Sequence, residues 1–358
     1  MQNKGTLSVV MCNYNHSHYI QEALQAILSQ SFSPLEVIVI DDGSTDNSVQ
    51  IIESIAEKNP TVKFYRNVKN EGVWYSSNKG AKIATGEYIY WAAADDRVCP
   101  GFFEKSVKIL NQNPQAGLSS ALLKIIGKDG NDEMWAKTPV ISSTECFLSA
   151  DQVRKTLLKH GFWFSGQGVI FRRDYVVKDK DTDVFDPELH QFADHIATMI
   201  VATKHGACFI PEILATWRTY IGHSGYADTH FLSEETKTNS ALDKMVQIMN
   251  SKEYTLFFPR DFVKQYECQI IYAVQSMRLN KIHNEMIDYM KTTRSLQKSE
   301  SLLDKFVYLI IKMLDVFKYF FVKSYFYYRR THINVFSLIG IIVSYRTGLK
   351  IYKHSKCN

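Results

Sequence analysis

Two adjacent carboxylates, Asp95 and Asp96, close an apolar run and carry the greatest chemical weight in this 358-residue chain. Neighbouring acidic side chains repel unless a cation or a hydrogen-bonding ligand compensates them. One or two carboxylates plus a diphosphate is the usual way a hard divalent ion, Mg2+ or Mn2+, is held. A second acidic cluster, Asp41-Asp42-Gly43-Ser44-Thr45-Asp46, ends another apolar run. Carboxylates there can accept bonds from a base N–H or ribose hydroxyls, and Gly-Ser-Thr lets the chain turn tightly into a helix start. Asn13-Tyr14-Asn15 and Asn70-Glu71-Gly72 add further polar groups. Taken singly, each cluster reads as an ordinary turn or cap. Repeated at successive strand ends, they suit one ligand.

The elements that position these groups alternate at short intervals. Strands are expected at Leu7–Cys12, Leu35–Ile40, Val62–Tyr65 and Tyr88–Trp91. Between them, Ile20, Ala23, Leu24, Ile27 and Leu28 fall on one helical face with Ser17 as its N-cap. Helices are also expected at Ser48–Glu57, Trp74–Ala84 and Phe102–Leu110. Strands this apolar are buried on both faces, so the sheet is expected to be mostly parallel and helix-covered, with ligands beyond the strands' carboxyl ends. Leu118–Gly127, the turn at Lys128-Asp129-Gly130-Asn131 and Met134-Trp135 predict a hairpin. Val169–Phe171 and Ala207–Ile210 read as further strands flanking a helix at Phe192–Lys204, and from His230 onward the pattern is helical.

Six cysteines without CxxC spacing argue against a disulfide framework or zinc site. The first residues lack a signal peptide's apolar stretch and cleavage site, so the first part of the chain is expected in the cytosol. From Ser251 onward 18 Lys/Arg face 8 Asp/Glu, whereas the preceding part is net acidic.

The order SVVMCNYN … VIVIDDGSTDNS … NEGVWYSSNKGAKIATGEYIYWAAADD resembles the inverting glycosyltransferases of family 2, with the GT-A fold, over roughly residues 5–225. The resemblance implies an α/β GT-A domain (1–228); the helical pattern beyond it makes residues 229–300 a helical extension. The resemblance also implies transfer of a sugar from a nucleoside diphosphate, a UDP-sugar being the expected donor, with Mg2+ or Mn2+. Asp41 and Asp42 would then sit on the nucleoside. Asn13, Asn15, Asn70, Gly72, Asn78, Asp95 and Arg218 would line the rest of the donor site, and Asp95 and Asp96 would hold the metal. The family often reads Asp-Ala-Asp-Asp at the fourth strand; Ala93 replaces the first acid here. By similarity Asp194, at a helix start whose dipole would stabilise its anion, is the general base. Its neighbour His195 is a bystander. Gly166, Gln167 and Gly168 match an acceptor-contacting loop, and Trp217-Arg218 matches a Tyr/Trp-Arg motif that closes the site. The Gln-x-x-Arg-Trp pattern of processive synthases is absent, which favours adding one or a few sugars.

Residues 301–358 carry ten Lys/Arg against Asp315 alone from Lys305 onward, interleaved with Phe306, Tyr308, Phe320 and Phe321. Lys305, Lys312, Lys323 and Arg330 fall on one helical line. This predicts a tail lying on an anionic membrane surface. The uncharged stretch Ile333–Tyr345 is too short to span. The acceptor is then a saccharide, lipid-linked or a surface-polysaccharide precursor, met at the cytoplasmic face of the plasma membrane. No nucleic-acid motif accompanies the basic residues. A sugar nucleotidyltransferase would need a Gly-rich loop with Arg and Lys after the first strand, where Asn13-Tyr14-Asn15-His16 stands. An inactive, membrane-bound scaffold has only Ala93 in its favour.

Overall fold

In the computed structural model the described residues are 5–130, 133–135, 139–164, 166–179, 181–218, 235–267 and 269–270. The chain divides into two units, Met1–Tyr266 and Glu267–Asn358, and every element below lies in the first. The expected tail over 301–358 falls outside the described residues, as do residues 271–300 of the expected extension.

Burial of the apolar runs builds the first half of the sheet. Strand β1 (Leu7–Asn13) is buried at all but one position and β2 (Glu36–Asp41) at every position, which requires helices on both faces. Leu7, Val9 and Met11 share a core with Ile20, Leu24 and Ile27 of α1 (Ile20–Leu28). The alternate residues meet α3 (Val73–Ile83), which approaches closely at a glycine: a Cβ on Gly80 would lie 2.2 Å from Val10 Cγ1. Helix α2 (Ser48–Lys58) packs beside α1 and leads into β3 (Val62–Arg66). Strand β4 (Tyr88–Ala93) pairs with β1 on the side away from β2, so the strand order reverses between β1 and β4. That reversal opens the crevice where such sheets bind ligands.

Helix α4 (Phe102–Gln112) leads to β5 (Leu118–Ile126), which forms the expected hairpin with β6 (Glu133–Trp135). Then come β7 (Cys146–Leu148), α5 (Ala150–His160), β8 (Val169–Arg172), the short α6 (Arg173–Val176), α7 (Ala193–His205), β9 (Ala207–Arg218) and α8 (Glu235–Met249). Among the described residues the sheet has nine strands in the order β3-β2-β1-β4-β8-β5-β9-β7, with β6 paired to β5. The expected parallel pairing holds for β1 to β4; the other half is mixed, because β8 runs antiparallel to both β4 and β5.

Two local expectations change, and one helix is added. Ser17 does not cap α1: Tyr19 is the N-cap residue, and the Ser17 N–H donates to Asp46 Oδ2 at 2.9 Å. Strand β9 runs on to Arg218, past Pro211, because two register shifts against β5 accommodate the break. Helix α5 begins with a capping box from Ser149 and Gln152, a spacing visible in the sequence.

Opposite the strands' carboxyl ends, buried Glu36 ties the sheet together. It accepts from Ser8 Oγ at 2.7 Å, Thr85 N–H at 2.8 Å and Lys63 Nζ at 2.6 Å. Burial would raise its pKa, yet these donors hold it at about 2.

Candidate active site

Register brings three strand ends level, Asn13 beside Asp41 and Cys12 beside Ala93. Buried Asp41 accepts from Asn13 Nδ2 at 2.8 Å and from the Ser44 N–H at 3.0 Å. Asp42 accepts from Asn67 Nδ2 at 2.8 Å, the Glu71 N–H at 3.0 Å and the Gly72 N–H at 2.8 Å. Asn70 Oδ1 shares that Gly72 N–H at 3.0 Å. Asn15, at φ 57°, accepts the Thr45 N–H at 2.8 Å. Asn13, Asn15, Asp41, Asp42, Asn70 and Gly72 therefore form one network, in which both carboxylates shape the loops. Asn13 Oδ1 is buried without a partner, and since its amide nitrogen binds Asp41 and Ser44 (3.1 Å) the orientation is fixed. Asn78 stands apart: its amide exchanges bonds of 2.7 and 2.9 Å with the Phe185 backbone.

The acidic loop after β4 is held from behind. Asp96 is buried and accepts the backbone N–H of Arg218. Burial first, then the charge of Asp95, keeps its carboxyl well above the usual range against the pull of Arg218. The Arg218 guanidinium, 2% exposed, donates to the Asp95 carbonyl at 2.7 Å, the Lys128 carbonyl at 2.7 Å and Glu22 Oε2 at 2.7 Å. It also lies 4.5 Å from the Tyr19 ring. Arg218 is thus engaged within the protein, while the adjacent Trp217 is 40% exposed. Among the described residues no three His, Cys, Asp or Glu side chains gather as a metal cage. The donor set present fits a hard cation held by one protein carboxylate and a diphosphate.

Because β8 is antiparallel to β4, the 3₁₀ turn Gly166–Gly168 that precedes it sits at the same sheet edge. The Gln167 carbonyl accepts from Tyr90 Oη at 3.0 Å, and Gln167 Oε1 is a second buried acceptor without a partner. Asp194, in the first turn of α7, faces this turn: a Cβ on Gly166 would lie 3.3 Å from Asp194 Oδ2. Burial pushes the Asp194 carboxyl up to about 6, although the His195 N–H donates to it at 2.8 Å. The expected stabilisation of its anion by the helix start is outweighed by desolvation. The His195 ring stacks on Phe162 at 3.8 Å and meets Tyr266 Oη at 2.8 Å, and burial lowers its pKa to about 3.

The sequence profile of Glycosyl transferase family 2 matches residues 8–178. An uncharacterised glycosyltransferase of Nostoc sp. is 30% identical over 248 residues, covering 68% of this chain and 74% of that relative. The chain belongs to glycosyl transferase family 2. Among other family relatives, an uncharacterised glycosyltransferase of Haemophilus influenzae is 30% identical over 187 residues, 49% of this chain and 58% of its own length. The uncharacterised glycosyltransferase YibD of Escherichia coli is 29% identical over 50% of this chain and 52% of its own length, so the matched stretch spans little more than half of these two relatives. S. aureus TarS 1-349 in complex with UDP-GlcNAc has a similar fold, with a TM-score of 0.59 at 18% identity over 89% of this chain and 91% of that chain. The mannosyltransferase PcManGT from Pyrobaculum calidifontis, in complex with GDP-Man and Mn2+, gives 0.52 at 17% over 87% and 84%. At these identities the likeness is one of fold, the GT-A fold of family 2.

Several residues of this candidate site were not picked out from the sequence. Asn67, bridging Asp42 to Lys79 Nζ (2.7 Å) and Ser76 Oγ (2.9 Å), follows the third strand and obeys the strand-end rule that exposed the others. Glu22 and Tyr19, which brace Arg218, carry no local signal on their helix.

Proposed function

We propose that the protein transfers a sugar, with inversion, from a nucleoside-diphosphate sugar to a saccharide hydroxyl. The observation that carries this reading is Asp194, a partly buried carboxyl with pKa about 6 beside the Gly166 turn, at the sheet edge that bears Asp95. A carboxylate of raised pKa is a competent base near neutral pH. Asp194 takes the proton of the acceptor hydroxyl as the new bond to the anomeric carbon forms and the bond to the departing diphosphate breaks on the opposite face. Asn13 Oδ1 and Gln167 Oε1 offer acceptors to N–H or hydroxyl groups of the ligands. Asp95, with Asp96 supporting it, would hold Mg2+ or Mn2+, which when bound neutralises diphosphate charge. The donors named for TarS (UDP-GlcNAc) and PcManGT (GDP-Man) support a nucleotide-sugar, and a UDP-sugar is the donor proposed.

Mn2+-dependent release of UDP from UDP-hexoses tests the reading. Asp194→Asn and Asp95→Ala should each lower it by roughly a hundredfold or more while the protein stays folded. Near-full activity of Asp194→Asn would remove the base assignment. The basic tail is proposed to bring this chemistry to a lipid-linked or surface-polysaccharide acceptor at an anionic membrane. Among the described residues no helix is long and apolar enough to cross one. Flotation with phosphatidylglycerol vesicles should be lost when the chain ends at Thr293; equal flotation of both chains speaks against the tail.

A further inference from the structure

We propose that the helical segment following β9 is a working part of the catalytic site, with Tyr266 and Lys244 as positioning residues that hold the start of α7 and so aim Asp194. The inference rests on the reading of Asp194 as the base and adds what sets its direction.

Helix α7 begins on an unusual support. It follows directly from a 3₁₀ turn, Pro187–Phe192, in which His190 adopts φ 46° and ψ −124°. A non-glycine residue at such angles is strained and persists only where surrounding contacts over-determine it. Two struts supply them, and both come from beyond residue 234. On one side, Lys244 of α8 pairs with Asp186 at 2.6 Å and with Glu188, the N-cap and first turn of the strained segment. Helix α8 packs against the same turn through a face that buries Ala241, Leu242 and Met245. On the other side, Tyr266 Oη, from helical residues 260–267, meets His195 Nε2 at 2.8 Å. Phe262 stacks on the Tyr266 ring at 5.4 Å, and Phe162, just ahead of the Gly166 turn, stacks on His195. His195 and Asp194 are consecutive, and the His195 N–H is the donor on Asp194 Oδ1. A small rotation of this first helical turn moves the base relative to the acceptor, and misplacement by about 1 Å costs on the order of a hundredfold in rate.

The test uses the full chain and Mn2+-dependent UDP release from whichever UDP-hexose is turned over. Tyr266→Phe keeps the stacked ring and removes only the hydroxyl; His195→Phe keeps the stack on Phe162 and removes the other end of the bond. Each is expected to lower kcat roughly tenfold, with the donor KM and the thermal shift produced by UDP unchanged. The double variant should be no worse than either single, since both remove one bond. The acid limb of the pH profile should move in these variants, which a general loss of rigidity would not cause. Lys244→Met should lower kcat and Lys244→Arg restore it, which carries the test if an aromatic variant fails to fold. Wild-type kcat in Tyr266→Phe and Lys244→Met, with Asp194→Asn inactive, overturns the positioning role and leaves the base in place. An active Asp194→Asn overturns both.

Discussion

At the scale of single residues, the site turns on what burial does to a carboxyl. If Asp194 is the base proposed above, its raised pKa means that activity should fall as pH drops through about 6, where its carboxyl becomes protonated. The same shift has a stability consequence of defined sign. A carboxyl whose folded pKa exceeds its unfolded one contributes stability below the unfolded pKa, and loses it as pH rises through about 6. Asp194→Asn is therefore expected to abolish UDP release while melting no lower than wild type at pH 8; a clear drop in its Tm there would refute the desolvation account. The place of this residue at a helix start was legible in the sequence. Its pKa was not, because the dipole argument sees only α7, whereas the burial comes from its three-dimensional surroundings, the Gly166 turn among them. Asp41 and Asp42 show the same split. Their position at a strand end was readable, but that they bond inward to Asn13, Asn67 and the Gly72 N–H depends on loops that meet only in the fold.

At the scale of elements, the parallel half of the sheet was readable because apolar runs and amphipathic helices alternate with little interruption. The antiparallel half was harder: β7 has three residues, and β9 carries a proline that reads as a stop. Glu36 fastens three parallel strands and the loop entering β4 at the end remote from the site. Its pKa lies below the unfolded value, so its contribution is present above roughly pH 4.5 and disappears as pH falls toward about 2. Removing one member of a buried ion pair costs about 3–5 kcal/mol, and since Lys63 is half exposed the lower end applies to Glu36→Gln. Urea midpoints between pH 2 and 7 should show this loss at neutral pH and convergence with wild type in acid. Parallel curves across the whole range would count against the assigned role.

At the scale of the molecule, residues distant in sequence are drawn to one edge by pairing alone. Loop 95–99 follows β4, yet it lies along β9: Val98 bridges Ala215, the Thr216 N–H donates to the Arg97 carbonyl at 2.8 Å, and Arg218 donates to Asp96. Arg218→Met would leave Glu22 to Arg97 alone and strip the Asp95, Gly127 and Lys128 carbonyls of their donor, at a cost of about 1–3 kcal/mol for buried acceptors left unsatisfied. Chemical denaturation should report it; an unchanged midpoint would mean the clamp is dispensable. Strand β7 covers only Ala207–Phe209 of β9, and it is the acidic loop that occupies the far end of the same margin. An unpaired strand margin is a template for another chain. The segment carrying the proposed cation-holding carboxylate is thus also the sheet's shield against self-association, and damage to it should first be seen as insoluble protein on warming.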